Sequence, residues 1–156
     1  MKKVNVGQAM RVLANVGVLV GILLLVYELS LNRQMMKAQT RNAIAETLIN
    51  LSLNQANSVE LNQIELKVLA GERLTPLEQR RHTQLWRAFF RYWENVNYQY
   101  RNGLYDDNEY FAQREAWKRI LLSNRGVRDL WCTRGNVQSR EFVAEIADLM
   151  GEARCE

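Results

Sequence analysis

The sequence predicts an all-α fold: an N-terminal transmembrane helix that continues into a stalk, then a compact helical bundle. Three observations carry this. The stretch VLANVGVLVGILLLVYELSLNRQ, residues 12–34, opens with sixteen uncharged residues, Val12 to Tyr27. From Ile22 to Ala70 there is neither Gly nor Pro, so nothing there obliges a helix to stop. Beyond that point, apolar residues recur at three- and four-residue steps between recognisable helix caps, the pattern of amphipathic helices. At 156 residues the chain suits one domain plus an anchor, which divides it into an anchor (1–30), a helical stalk (31–57) and a bundle domain (58–156).

As a helix, Val12–Tyr27 spans about 24 Å at about 1.5 Å per residue, short of a hydrocarbon core about 30 Å thick. Arg11 can snorkel, and the preceding VNVGQAM is uncharged, so the usable span extends backwards. Tyr27 stands where an interfacial aromatic belongs. A signal peptide is the first alternative, with Lys2 and Lys3 as its basic start. It lacks a small-x-small cleavage pair soon after Tyr27, since Ala43–Ala45 lies too far downstream. A buried core helix is the second alternative. Leu19–Val26 is apolar on all sides apart from Gly21, and a domain this small has little to surround it with. An uncleaved single-pass signal-anchor is the expectation. Gly17 and Gly21, with Ala14 on the same side and Asn15 able to hydrogen-bond, suit packing against a second copy in lipid. Glycine is also simply common in membrane helices. Lys2, Lys3 and Arg11 before the span balance Arg33, Lys37 and Arg41 after it, so the positive-inside rule leaves orientation open. Cys132 and Cys155, read as isolated thiols that neither demand nor exclude a disulfide, lean towards a reducing, cytoplasmic side.

In the stalk, Met36, Ile44, Leu48 and Leu51 form an apolar stripe. NSVE reads as a helix start with Asn57 as cap and Glu60 reaching back. Leu61, Ile64, Val68 and Leu69 make the next stripe, and Gly71 suits a left-handed terminus. TPLE is the clearest local signal: Thr75 caps, Pro76 takes the first helical position and Glu78 completes a capping box. That helix runs to about Arg101, ended by Asn102–Gly103. Asp106 caps a helix over 107–122, with Glu109 three residues on. SNRG breaks it, a short helix follows over 127–133, and Ser139 caps a last one to Met150.

Seven of the fourteen aromatics fall in residues 86–100, so the helix over 76–101 should dominate the core. Leu85, Phe89, Trp93, Val96 and Tyr100 share one face with His82; Arg80, Arg87, Arg91, Glu94 and Tyr98 lie opposite. Packing explains this pattern. The functional alternative gives Arg80, Arg87 and Arg91 to anionic headgroups or an acidic partner, although Glu94 can pair with Arg87 or Arg91 instead.

Recognisable catalytic chemistry is absent. His82 is the sole histidine; with Glu78 it offers two metal ligands, but the paired Glu-x-x-His motifs of a di-iron bundle are missing. Cys132 and Cys155 lack zinc-site spacing, and there is no phosphate loop or nucleophile elbow. A Cys132–His82 pair has no supporting context. No metal, cofactor or catalytic residue is expected. Residues 32–156 carry 18 basic and 16 acidic side chains, too even a mixture to suggest nucleic-acid binding.

A lead-in at Tyr27, Asn32 and Arg33 precedes a core of Phe90, Arg91, Glu94, Asn95, Tyr98, Gln99, Gly103, Leu104 and Asp106 or Asp107. Together these resemble a widespread family of uncharacterised small bacterial single-pass membrane proteins with a C-terminal helical domain. The resemblance implies a bacterial inner-membrane protein and supplies no activity or cofactor. It directs attention to Arg91, Glu94, Asn95, Tyr98 and Gln99 as a polar network or a small pocket. The expected function is non-enzymatic: a scaffold, regulator or accessory subunit of a membrane complex. Its expected partners are the lipid bilayer and a protein, or a second copy through the membrane helix. The alternatives are a ligand- or lipid-binding sensor using helix 76–101 and, behind it, a membrane-bound enzyme.

Overall fold

The computed structural model of the chain describes residues 6–153 and Cys155. Among the described residues there are six α-helices and no strand: α1 (Val6–Ala56), α2 (Val59–Leu69), α3 (Pro76–Arg101), α4 (Asp107–Ser123), α5 (Arg125–Arg134) and α6 (Arg140–Met150). Short 3-10 turns follow α5 and α6. Lys2 and Lys3, counted above for orientation, lie outside the described residues.

The chain forms two compact units, divided between Gln39 and Thr40. In the first, α1 is long and apolar enough to cross a membrane, and none of its apolar window is buried. Every large apolar residue from Val12 to Leu29 is exposed, as a helix apolar on all sides is when only lipid or another chain can cover it.

The second unit begins inside the expected stalk. Ile44 is 2% exposed, and Leu48 and Leu51 pack against the core, whereas Met36 stays exposed. The stripe read in residues 44–51 therefore belongs to the domain: apolar side chains on one helix face bury against whatever complementary face the fold offers.

Local signals set the helix ends. Thr75 and Glu78 complete the capping box, with Pro76 in the first turn. Gly71 at φ 71° closes α2, with its N–H bonding Val68 O and that of Glu72 bonding Lys67 O. Gly103 at φ 68° closes α3 in the same way. Both are Schellman ends, which glycine reaches without a Cβ penalty. Ser58, not Asn57, caps α2: its hydroxyl accepts from Leu61 N–H at 3.2 Å. Because α1 runs through Ala56, Asn57 is used up in ending it, and Glu60 pairs with Arg81 instead of reaching back. Asp106 caps α4, while Glu109 turns to Arg41 at 2.5 Å.

A closed ring of aromatics holds α3–α6 together. Phe90 meets Trp131, Trp131 meets Phe142, Phe142 meets Trp117, and Trp117 stacks on Trp93, which returns to Phe90 at 5.5 Å between centroids. Offset and edge-on pairs of this kind add about 0.5–1.5 kcal/mol each beyond area burial. The buried face of α3 is turned from the expected one. Trp86, Phe90 and Asn97 are buried beside His82, Trp93 and Val96, while Phe89 and Tyr100 are half-buried. Packing from both sides, by α2 and by α4–α6, widens the buried arc beyond a single stripe.

Cys132 and Cys155 are joined in a disulfide, with Cα atoms 5.3 Å apart. The reading of both as isolated thiols is corrected, which removes the ground given for a reducing compartment. Residues 23 apart in sequence meet because α6 brings the chain end back to α5.

Candidate functional site

Of the five residues expected to form a polar network, Arg91 and Glu94 are joined, and so are Asn95 and Gln99, but the pairs are separate. Arg91 donates to Glu94 at 2.6 Å and to the carbonyl of Val137 at 3.2 Å. Glu94 accepts the N–H of Ser139 at 2.6 Å, so its carboxylate caps α6 where the Ser139 side chain does not. Burial raises the Glu94 pKa, and the Ser139 N–H and Arg91 outweigh this, holding it below the usual carboxylate range. Gln99 donates to Asn95 at 3.3 Å, and Tyr98 is exposed. Arg91, Glu94, Asn95 and Tyr98 line a shallow groove of about 510 Å³ with Ser139 and Glu141. The chemistry of this strip is that of a clamp between α3 and α6.

Arg80 and Arg87 are exposed on α3 and, among the described residues, have no carboxylate partner; Arg91 is taken by Glu94. In α1, Ala14, Asn15, Gly17 and Gly21 are all exposed, with nothing within 4 Å of a Cβ placed on either glycine. That leaves the small-residue face open.

Glu78 and His82 go to different partners. Glu78 is hydrogen-bonded by Lys67 at 2.5 Å and by Thr75 N–H at 2.8 Å, which lowers its pKa to about 2. His82, 2% exposed, faces Glu65 instead, Nδ1 to Oε1 at 2.7 Å. Glu65 also accepts from Trp86 Nε1 at 3.3 Å. The tautomer of His82 with its proton on Nδ1 suits a carboxylate acceptor at this contact. The other ring nitrogen, Nε2, is buried without a partner, a condition that costs about 1–3 kcal/mol. His82 lines a cleft of about 890 Å³ between the α2–α3 turn and the α4–α5 junction.

This Glu65–His82–Trp86 arrangement was missed in the sequence. Glu65 lies on α2, seventeen residues before His82, and no local spacing links two helices. The one available signal was an acidic residue inside the apolar stripe between Ile64 and Val68. The chain matches no family model, no curated protein and no solved structure.

Proposed function

We propose that the chain is a single-pass protein of the bacterial inner membrane whose helical domain acts, without catalysis, as a scaffold, regulator or accessory subunit on the oxidising, periplasmic side. The observation that carries this is the apolar surface of α1 from Val12 to Leu29, exposed on every side. Such a surface is unstable in water and stable in a bilayer. The Cys132–Cys155 disulfide supports the side, because disulfides persist in oxidising compartments. Support for a partner comes from Arg80 and Arg87, whose guanidiniums suit carboxylates or phosphates.

Alkaline-washed membranes from a bacterial host should retain the chain. In mild detergent it should run on native gels as a species larger than its 18.2 kDa protomer. Arg80→Glu with Arg87→Glu should shrink that species while shifting stability by no more than about 0.5 kcal/mol. Release by the wash, or migration as a lone protomer, contradicts the proposal.

A further inference from the structure

The cleft lined by His82 includes neither a residue of α1 nor Arg80 or Arg87 among its walls. We propose that it binds a small oxyanion carrying an O–H group, of the phosphate or hydroxycarboxylate kind. Three sets of groups meet there.

The first is His82 itself. Its Nδ1 is held by Glu65, and its Nε2 has no partner although the residue is 98% buried (2% exposed). His82 is among the cleft walls, whereas Glu65 and Trp86, on the Nδ1 side, are not.

The second is the start of α5. Gly126 lines the cleft and has only backbone to offer. The N–H groups of Arg125 and Gly126 have no acceptor among the described residues, whereas Asn124 already takes those of Val127 and Arg128. Helix N-termini with free N–H groups favour anions. A Cβ at Gly126 would lie 2.4 Å from Val68 Cγ1, so glycine is what lets this backbone close up against α2.

The third is Arg73, exposed in the turn after α2 and, among the described residues, without a carboxylate partner. Of the two acids that line the cleft, Asp129 pairs with Arg125 at 3.5 Å, and Glu72 is exposed in the turn beside Arg73.

What is left over is a set of donors at the rim, plus a ring nitrogen that, in the tautomer with the proton on Nδ1, has only a lone pair to offer. An oxyanion with its own O–H satisfies both, and a plain carboxylate satisfies only the first. The volume suits a small molecule. Because His82 is shielded, exposed lining side chains such as Gln79 have to give way as the ligand enters.

His82 is the sole histidine, so its two ring nitrogens can be followed by NMR without assignment. The full chain, with isotopically labelled histidine and held in zwitterionic micelles, is titrated with inorganic phosphate, glycolate or acetate at an ionic strength fixed by NaCl. Phosphate, glycolate or both should move the Nε2 resonance saturably while the Nδ1 resonance stays close to its starting position. Arg73→Ser, at an exposed site, should weaken that binding by about tenfold. The two arms distinguish a phosphate ligand from a hydroxycarboxylate. No saturable movement with either, equal binding of acetate, or indifference to Arg73→Ser overturns the proposal.

Discussion

Gly135 has an ordinary helical φ of −64°, so space and not backbone freedom demands glycine there. A Cβ would sit 2.8 Å from Cε2 of Trp131, whose indole belongs to the aromatic ring of the core. Gly135→Ala should therefore cost about 1–3 kcal/mol in urea unfolding, the range of overpacked sites; an unchanged midpoint would mean the turn yields freely. At Glu94 the account predicts a pH dependence. Its folded pKa is lowered, so its contribution is present above the ordinary value of about 4.3 and fades as pH falls through the folded one. Glu94→Gln should cost about 1–2 kcal/mol at neutral pH by uncapping α6. The gap from wild type should narrow in acid melts; a gap independent of pH would remove the charge from the explanation. Single residues were legible where their chemistry is local, as at Thr75 and Gly71. His82 was not, because its partner Glu65 arrives from another helix and only the fold brings them to 2.7 Å.

Helices were legible from caps and periods, and their burial less so. TPLE fixed the start of α3 and Asn102–Gly103 its end, since both depend on backbone groups within one turn. Asn57 and Ser58 are both competent caps, and the choice fell to Ser58 because α1 continues through Ala56. On α3, the stripe through Leu85 and Phe89 competes with one through Trp86 and Phe90. Which one is buried depends on neighbours that a single-helix pattern does not contain. The same holds for residues 44–51, whose stripe suits a stalk or a core equally well until a partner face is known. Since Ile44 is 2% exposed, Ile44→Ala should cost about 2–5 kcal/mol of domain stability by denaturant titration. A cost near zero would return this segment to the stalk.

Across the whole molecule, the proposal of an anchored domain on an oxidising face rests on the apolar segment and the disulfide. The segment was legible from composition alone, because a run of uncharged residues needs no tertiary information. The Cys132–Cys155 pairing was not, since bridging depends on Cα atoms coming within reach and residues so distant meet only after α6 has packed. Closing that loop limits the unfolded chain by about 3 kcal/mol on a chain-entropy basis. Reduction, or Cys132→Ser, should lower stability towards that amount without dissolving the aromatic ring, as read by near-ultraviolet circular dichroism during urea unfolding. The central claim is that α1 anchors the domain on an oxidising face. The most direct measurement fuses alkaline phosphatase, and separately green fluorescent protein, to the C-terminus of the intact chain in a bacterial host. The account predicts an active phosphatase and a dark fluorescent protein. A bright fluorescent protein with an inactive phosphatase would place the domain in the reducing cytoplasm and contradict it.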